Sequence, residues 1–262
     1  MYIALLEDSK MFVFIKRKCI SLVLSVLLLS PLTVYVFVSS RAIQSGRIVR
    51  ILCFGDSLTF GMTNGWPHPY TSKLQEYFNL NEQKRPRSHS VLHHVELFNA
   101  GRSGEKVQQE MLPRLQRIFQ GTTKYHWVII LGGTNDLFGM RSIWAENNKV
   151  KDEHSIFNAI VQLHRAAHET GARTVAMTIP ALQCEVNRKR RISVIMEVRL
   201  KVNEMIRYFV KHSGGKVLLA DLDKKMPLSR DQMLCGDGVH LTASAYDHMA
   251  YIIYQSIYKE LV

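Results

Sequence analysis

From residue 48 onwards, short apolar runs alternate with longer stretches in which apolar residues recur every third or fourth position. The short runs cover residues 50–54, 91–99, 127–131, 174–179 and 216–221. Several are rich in β-branched residues, and together they predict strands. The longer stretches, 70–79, 106–119, 155–170, 190–212 and 243–261, predict helices. In the third of these, Ile156, Ile160, Leu163 and Ala167 step along one helical face. Gly171 follows that helix and Gly214-Gly215 follow the next, where a left-handed residue ends a helix. Strand and helix in alternation predict an α/β domain with a parallel sheet, right-handed crossovers and helices on both faces. Ligands of such sheets bind at the carboxyl ends of the strands. The chain shows no internal repeat and no low-complexity linker, and the polar, basic stretch 81–90 reads as a surface loop.

One segment breaks this alternation. Residues 19–38, CISLVLSVLLLSPLTVYVFV, form twenty positions without a charge. As a helix they would be about 30 Å long, the thickness of a hydrocarbon core. The run is longer than the core of a signal peptide, which favours a single-pass anchor. Small residues at Val38-Ser39-Ser40 keep a cleaved signal, and hence a secreted protein, as the alternative. Lys16-Arg17-Lys18 precede the segment and argue for a cytoplasmic N-terminus, with the folded domain on the lumenal or extracellular face. Arg41, Arg47 and Arg50 on the other flank reduce that asymmetry. The expected organisation is a short basic region at 1–18, an anchor or signal at 19–38, a linker at 39–47 and the folded domain at 48–262.

Apolar residues make up 47% of the chain, enough for a substantial core. The net charge is +12, of which +5 falls within residues 1–50 and the rest is spread over the body. A basic surface attracts anions such as phospholipid head groups, and it also serves as an ordinary solvated surface. No zinc-ligand spacing and no nucleic-acid module is present, so neither a metal nor a nucleic acid is expected. Four cysteines do not make a disulfide framework in 262 residues. Cys19 and Cys53 read as small hydrophobes, while a Cys184–Cys235 bond is left open.

Chemistry enters at Gly55-Asp56-Ser57-Leu58, immediately after the first predicted strand. A serine at a strand exit is held at the sheet rim, but its hydroxyl needs a base. His240, in Asp237-Gly238-Val239-His240, is the candidate among eleven histidines. The three-residue spacing lets the Asp237 carboxylate reach back to its imidazole. Two further blocks, Asn99-Ala100-Gly101 and Gly132-Gly133-Thr134-Asn135-Asp136, also follow predicted strands.

With all four blocks in this order, the chain resembles the SGNH hydrolases, or GDSL esterase/lipase family, from about Val49 to the C-terminus. The resemblance implies a three-layer αβα fold around a flavodoxin-like five-stranded parallel sheet of order 2-1-3-4-5. It implies Ser57, Asp237 and His240 as the catalytic triad. The oxyanion donors it implies are the backbone N–H of Ser57, the backbone N–H of Gly101 and the side-chain amide of Asn135. A serine esterase or lipase acting on a small-molecule or lipid ester, without cofactor or metal, is the expected activity. An acyltransferase using the same site and a non-catalytic membrane-tethered binding module are the alternatives. Asp56 and Asp136 are read as loop hydrogen-bonding residues, Asp221 as structural, and Asn99 as a brace for the loop presenting Gly101. Stretches 66–70 and 137–140 serve either as pocket walls or as ordinary packing. The basic run 188–191 is either a solvated face or a head-group contact. Acyl length, head group and oligomeric state are not read from the sequence.

Overall fold

The computed structural model describes residues 48–84, 94–143, 153–183, 190–226 and 233–261. Five strands form one sheet: β1 (Ile48–Gly55), β2 (His94–Gly101), β3 (Trp127–Leu131), β4 (Arg173–Met177) and β5 (Val217–Ala220). All pairings are parallel, and the order is β2-β1-β3-β4-β5. This is the flavodoxin-like order expected above. Among the described residues eight α-helices accompany the strands: α1 (Ser57–Phe60), α2 (Tyr70–Lys84), α3 (Leu112–Phe119), α4 (Thr134–Ile143), α5 (Glu153–Glu169), α6 (Arg190–Lys211), α7 (Leu222–Lys225) and α8 (Ala243–Leu261).

The two-residue period of β1 sorts its side chains between two cores. Ile51 and Cys53 join Leu74 and Phe78 of α2 and Tyr246, Met249 and Ile253 of α8. Leu52 and Phe54 face the other way, onto Leu115 of α3, Ile156, Ile160 and Leu163 of α5, and Val202 and Ile206 of α6. The face of α5 read from its spacing, Ile156, Ile160, Leu163 and Ala167, is fully buried. Truncating Ile156 or Leu163 to alanine typically costs about 2–5 kcal/mol.

Two helical regions differ from the sequence reading. The expected helix over 106–119 opens as a π-helical turn, Val107–Met111, before α3 begins. Pro113 lies in the first turn of α3 and has no N–H with which to continue an α-helical ladder backwards. The Asp136 carboxylate meets the turn from outside, accepting from Val107 N at 2.9 Å and Gln108 N at 3.3 Å. The second difference is α4, which occupies residues expected as a loop.

The expected membrane segment at 19–38 lies outside the described residues. Among the described residues no helix is long and apolar enough to cross a membrane. Cys184 and the basic stretch 188–189 also lie outside them. Cys235 is a buried free thiol that donates to the Leu241 carbonyl at 3.1 Å.

Candidate active site

Three loops meet at the carboxyl edge of β1, β2 and β3. At the end of β1, Asp56 caps the single turn of α1 by accepting the Leu58 N–H at 3.0 Å. Ser57 is the first residue of that turn and is only 5% exposed. Its N–H therefore has no intrahelical acceptor and points from the start of the helix. Burial pushes the Asp56 carboxyl up to about 7, and its second oxygen has no hydrogen-bond partner among the described residues.

The loop before α8 carries His240, the candidate base. It is closed by Cys235 N–H on the His240 carbonyl at 2.7 Å and by Gly238 N–H on the Cys235 carbonyl at 2.9 Å. Within it, one oxygen of Asp237 accepts the Val239 and His240 N–H groups at 2.9 and 3.0 Å. The other oxygen lies 2.6 Å from His240 Nδ1, and His240 Nε2 lies 2.9 Å from Ser57 Oγ. A carboxylate only accepts, so in the neutral imidazole Nδ1 holds the proton and Nε2 accepts the Ser57 hydroxyl. Partial burial raises the Asp237 carboxyl, but the bond to His240 and the two N–H groups outweigh it and hold the group below its ordinary value. The carboxylate is thus ionised and oriented before any substrate arrives.

The opposite wall comes from the loop after β2 and from the start of α4. Asn135 lies in the first turn of α4 and donates to the Glu105 carbonyl at 2.9 Å, which leaves its second amide proton available. Gly101 does not present its N–H to the site, because that group donates to Asn99 Oδ1 at 2.9 Å. Asn99 in turn donates to the Thr59 carbonyl at 2.8 Å and to Thr71 Oγ at 3.1 Å, so it braces β2 against α1. The absence of a side chain at Gly101 serves packing, since a Cβ there would lie 2.0 Å from Phe60 N. Gly104, three residues on, is a candidate donor that the sequence reading did not name. It has φ of +82° in an exposed turn, a Cβ there would meet nothing within 4 Å, and its N–H donates to no group among the described residues. Its positive φ has no signature in a sequence that offers two glycines three residues apart.

Glu105, 5% exposed, is held from beneath by Arg114, whose guanidinium lies 2.6 Å from Oε2. The same guanidinium donates to the Ala100 carbonyl at 2.8 Å and the Gly55 carbonyl at 3.0 Å, and it stacks 4.0 Å over the Phe54 ring. One side chain therefore ties the ends of β1 and β2 to the loop that touches Asn135. Asp136 fixes the start of the π-helical turn, as described above.

The loop after α1 is fastened to α8. Tyr246 donates its hydroxyl to the Met62 carbonyl, and His68 pairs with Asp247, each at 2.8 Å. Trp66 projects from this loop 91% exposed, whereas Tyr70 and Leu137 are fully buried in the two cores and do not wall a pocket. Asp221 caps α7 and pairs with Arg207 at 2.7 Å, away from the serine. Burial raises its carboxyl, but Arg207 outweighs that and lowers it.

Residues 51–253 match the family model for GDSL-like lipase/acylhydrolase. Among solved structures, a member of the lipolytic G-D-S-L family from Veillonella parvula is 17% identical, with a TM-score of 0.59 over 79% of this chain and 97% of that one. A family 3 carbohydrate esterase from Clostridium thermocellum is 18% identical, with a TM-score of 0.60 over 82% and 98%. A lipase/acylhydrolase from Enterococcus faecalis is 21% identical, with a TM-score of 0.59 over 82% and 97%. At these identities the likeness establishes a shared fold. No curated protein sequence is significantly similar to the chain.

Proposed function

Because the chain belongs to the GDSL-like lipase/acylhydrolase family, we propose that it hydrolyses carboxylic esters through an acyl-enzyme on Ser57. The observation that carries this reading is the unbroken run from Asp237 through His240 to Ser57, with contacts of 2.6 and 2.9 Å. Ser57 Oγ attacks the ester carbonyl as His240 Nε2 takes its proton, and Asp237 steadies the resulting imidazolium. The tetrahedral oxyanion accepts from the Ser57 N–H and the Asn135 amide, with the Gly104 N–H in the place expected for Gly101. His240 then gives its proton to the leaving alkoxide. A water deprotonated by His240 attacks the acyl-enzyme, releasing the acid and restoring the Ser57 hydroxyl.

A fluorophosphonate probe tests the reading directly. Labelling that maps to Ser57 and vanishes in Ser57→Ala, together with loss of ester hydrolysis by several orders of magnitude, is expected. Near-normal hydrolysis by Ser57→Ala would remove the serine from the mechanism. Adding an alcohol or sugar acceptor to the same assay separates hydrolysis from acyl transfer, because transfer yields a new ester in place of the free acid.

For location, the uncharged run 19–38 and the preceding Lys16-Arg17-Lys18 support a single-pass anchor with the hydrolase domain on the lumenal or extracellular face. Protease treatment of sealed membranes checks this. The domain is expected to resist protease added from the cytosolic side, and digestion from that side would reverse the orientation.

A further inference from the structure

The rim of the site pairs an exposed aromatic with a cation that shares its carboxylate with a second arginine. Phe60, three residues after Ser57, is 39% exposed. It lies against the backbone of Gly101, where a Cβ would sit 2.0 Å from Phe60 N. The next residue, Arg102, is anchored through its backbone, its N–H donating to the Gly55 carbonyl at 3.0 Å, two residues before the serine. Its side chain is 68% exposed, and its nearest carboxylate oxygen, Glu105 Oε1, is 3.6 Å away. That carboxylate is already engaged by Arg114 at 2.6 Å. The two charges of the Arg114–Glu105 pair offset each other and leave Arg102 in excess. The other carboxylate of the rim, Asp237, is committed to His240 at 2.6 Å, and the pair becomes neutral overall when His240 takes the serine proton. Asp56 and Asp136 are buried behind the nucleophile turn and the π-helical turn.

Resting on the esterase reading above, we propose that Arg102 selects esters that carry a negative charge within a few bonds of the scissile carbonyl, with the apolar part of the substrate against Phe60. The shared chemistry is a carboxylate or a phosphate, which a guanidinium recognises through paired N–H donors. A fixed cation beside the site raises the local concentration of an anionic substrate and strengthens its binding, and salt screens the effect.

Matched substrate pairs test the proposal. Monoethyl succinate against ethyl butyrate places a carboxylate on the acyl side. The butyrate esters of 2-phosphoethanol and ethylene glycol place a phosphate on the alcohol side. The full-length wild-type protein is expected to favour the anionic member of at least one pair by about tenfold in kcat/KM at low ionic strength. That ratio should fall towards one in about 1 M salt, where screening acts within about 3 Å. It should also fall in Arg102→Gln, invert in Arg102→Glu and be kept only in part by Arg102→Lys, which retains the charge but not the paired donors. Which pair responds distinguishes a carboxylate from a phosphate. Hydrolysis of both members at equal rates, or a preference that survives Arg102→Gln, overturns the proposal and leaves the esterase reading intact. Failure to hydrolyse any of the four esters, with no fluorophosphonate labelling of Ser57, overturns both.

Discussion

Asn135 donates one amide proton to the backbone carbonyl of Glu105 at 2.9 Å, which joins the first turn of α4 to the loop after β2. The bond fixes the amide without using it up. In the proposed mechanism its second proton serves the oxygen on which negative charge develops. Asn135→Ala is therefore expected to lower kcat by about 10²–10³-fold with a smaller change in KM. Steady-state kinetics on one short-chain ester checks this, and a change confined to KM would show that Asn135 only binds substrate.

The two glycines of the loop after β2 separate packing from chemistry. Gly101→Ala forces a methyl against Phe60 N and is expected to lower the melting temperature and the yield of folded protein. Gly104→Ala faces open space but strains a backbone at φ +82°, by about 1 kcal/mol. It should leave folding largely intact while reducing kcat. Thermal melts and kinetics on the two variants give this contrast, and full activity in Gly104→Ala would return the donor role to another group.

Arg114 joins Gly55, Ala100 and Glu105, so its loss should loosen nucleophile and oxyanion donors together. Arg114→Lys keeps the charge but not the planar fork. It is expected to slow fluorophosphonate labelling of Ser57 and to lower kcat more than it raises KM. Glu105→Gln should reproduce part of that loss. If the two changes combine additively, the Arg114–Glu105 contact carries no coupling.

Stability at low pH is linked to a residue remote from the serine. His164 is buried, its Nδ1 lies 2.8 Å from Thr174 Oγ, and burial pulls its imidazole down from 6.5 to about 3. Between those values the unfolded chain binds a proton that the folded chain refuses. The contribution is intact above pH 6.5 and is lost progressively as pH falls towards 3. His164→Gln should flatten that acid limb in urea titrations at a series of pH values. An unchanged limb would assign the acid sensitivity elsewhere.

The parts of this molecule that could be read in advance are those whose physics is local. Ile51 to Phe54 alternate between two cores, and the step of Ile156, Ile160, Leu163 and Ala167 marks one face. Strand and helix therefore showed in the periodicity, and the pairing of Asp237 with His240 followed from a spacing of three. The resemblance supplied the strand order and the list of donors. What was hidden depends on side chains that meet across loops. The start of α4 directly after Gly132-Gly133 shows no apolar period of its own. The engagement of the Gly101 N–H depends on how Asn99 spends its amide, and the Arg114–Glu105 pair spans a π-helical turn that has no regular period.

The fastening of the nucleophile loop to α8, through Tyr246 to Met62 and His68 to Asp247, bears on how the protein is made. The ribosome releases β1 and Ser57 well before α8. Until then Ile51 and Cys53 lack the cover that Tyr246, Met249 and Ile253 provide. Until α8 is made, a nascent chain therefore holds the Ser57 loop unfastened, and a stop codon just beyond His240 would remove the helix that fastens it.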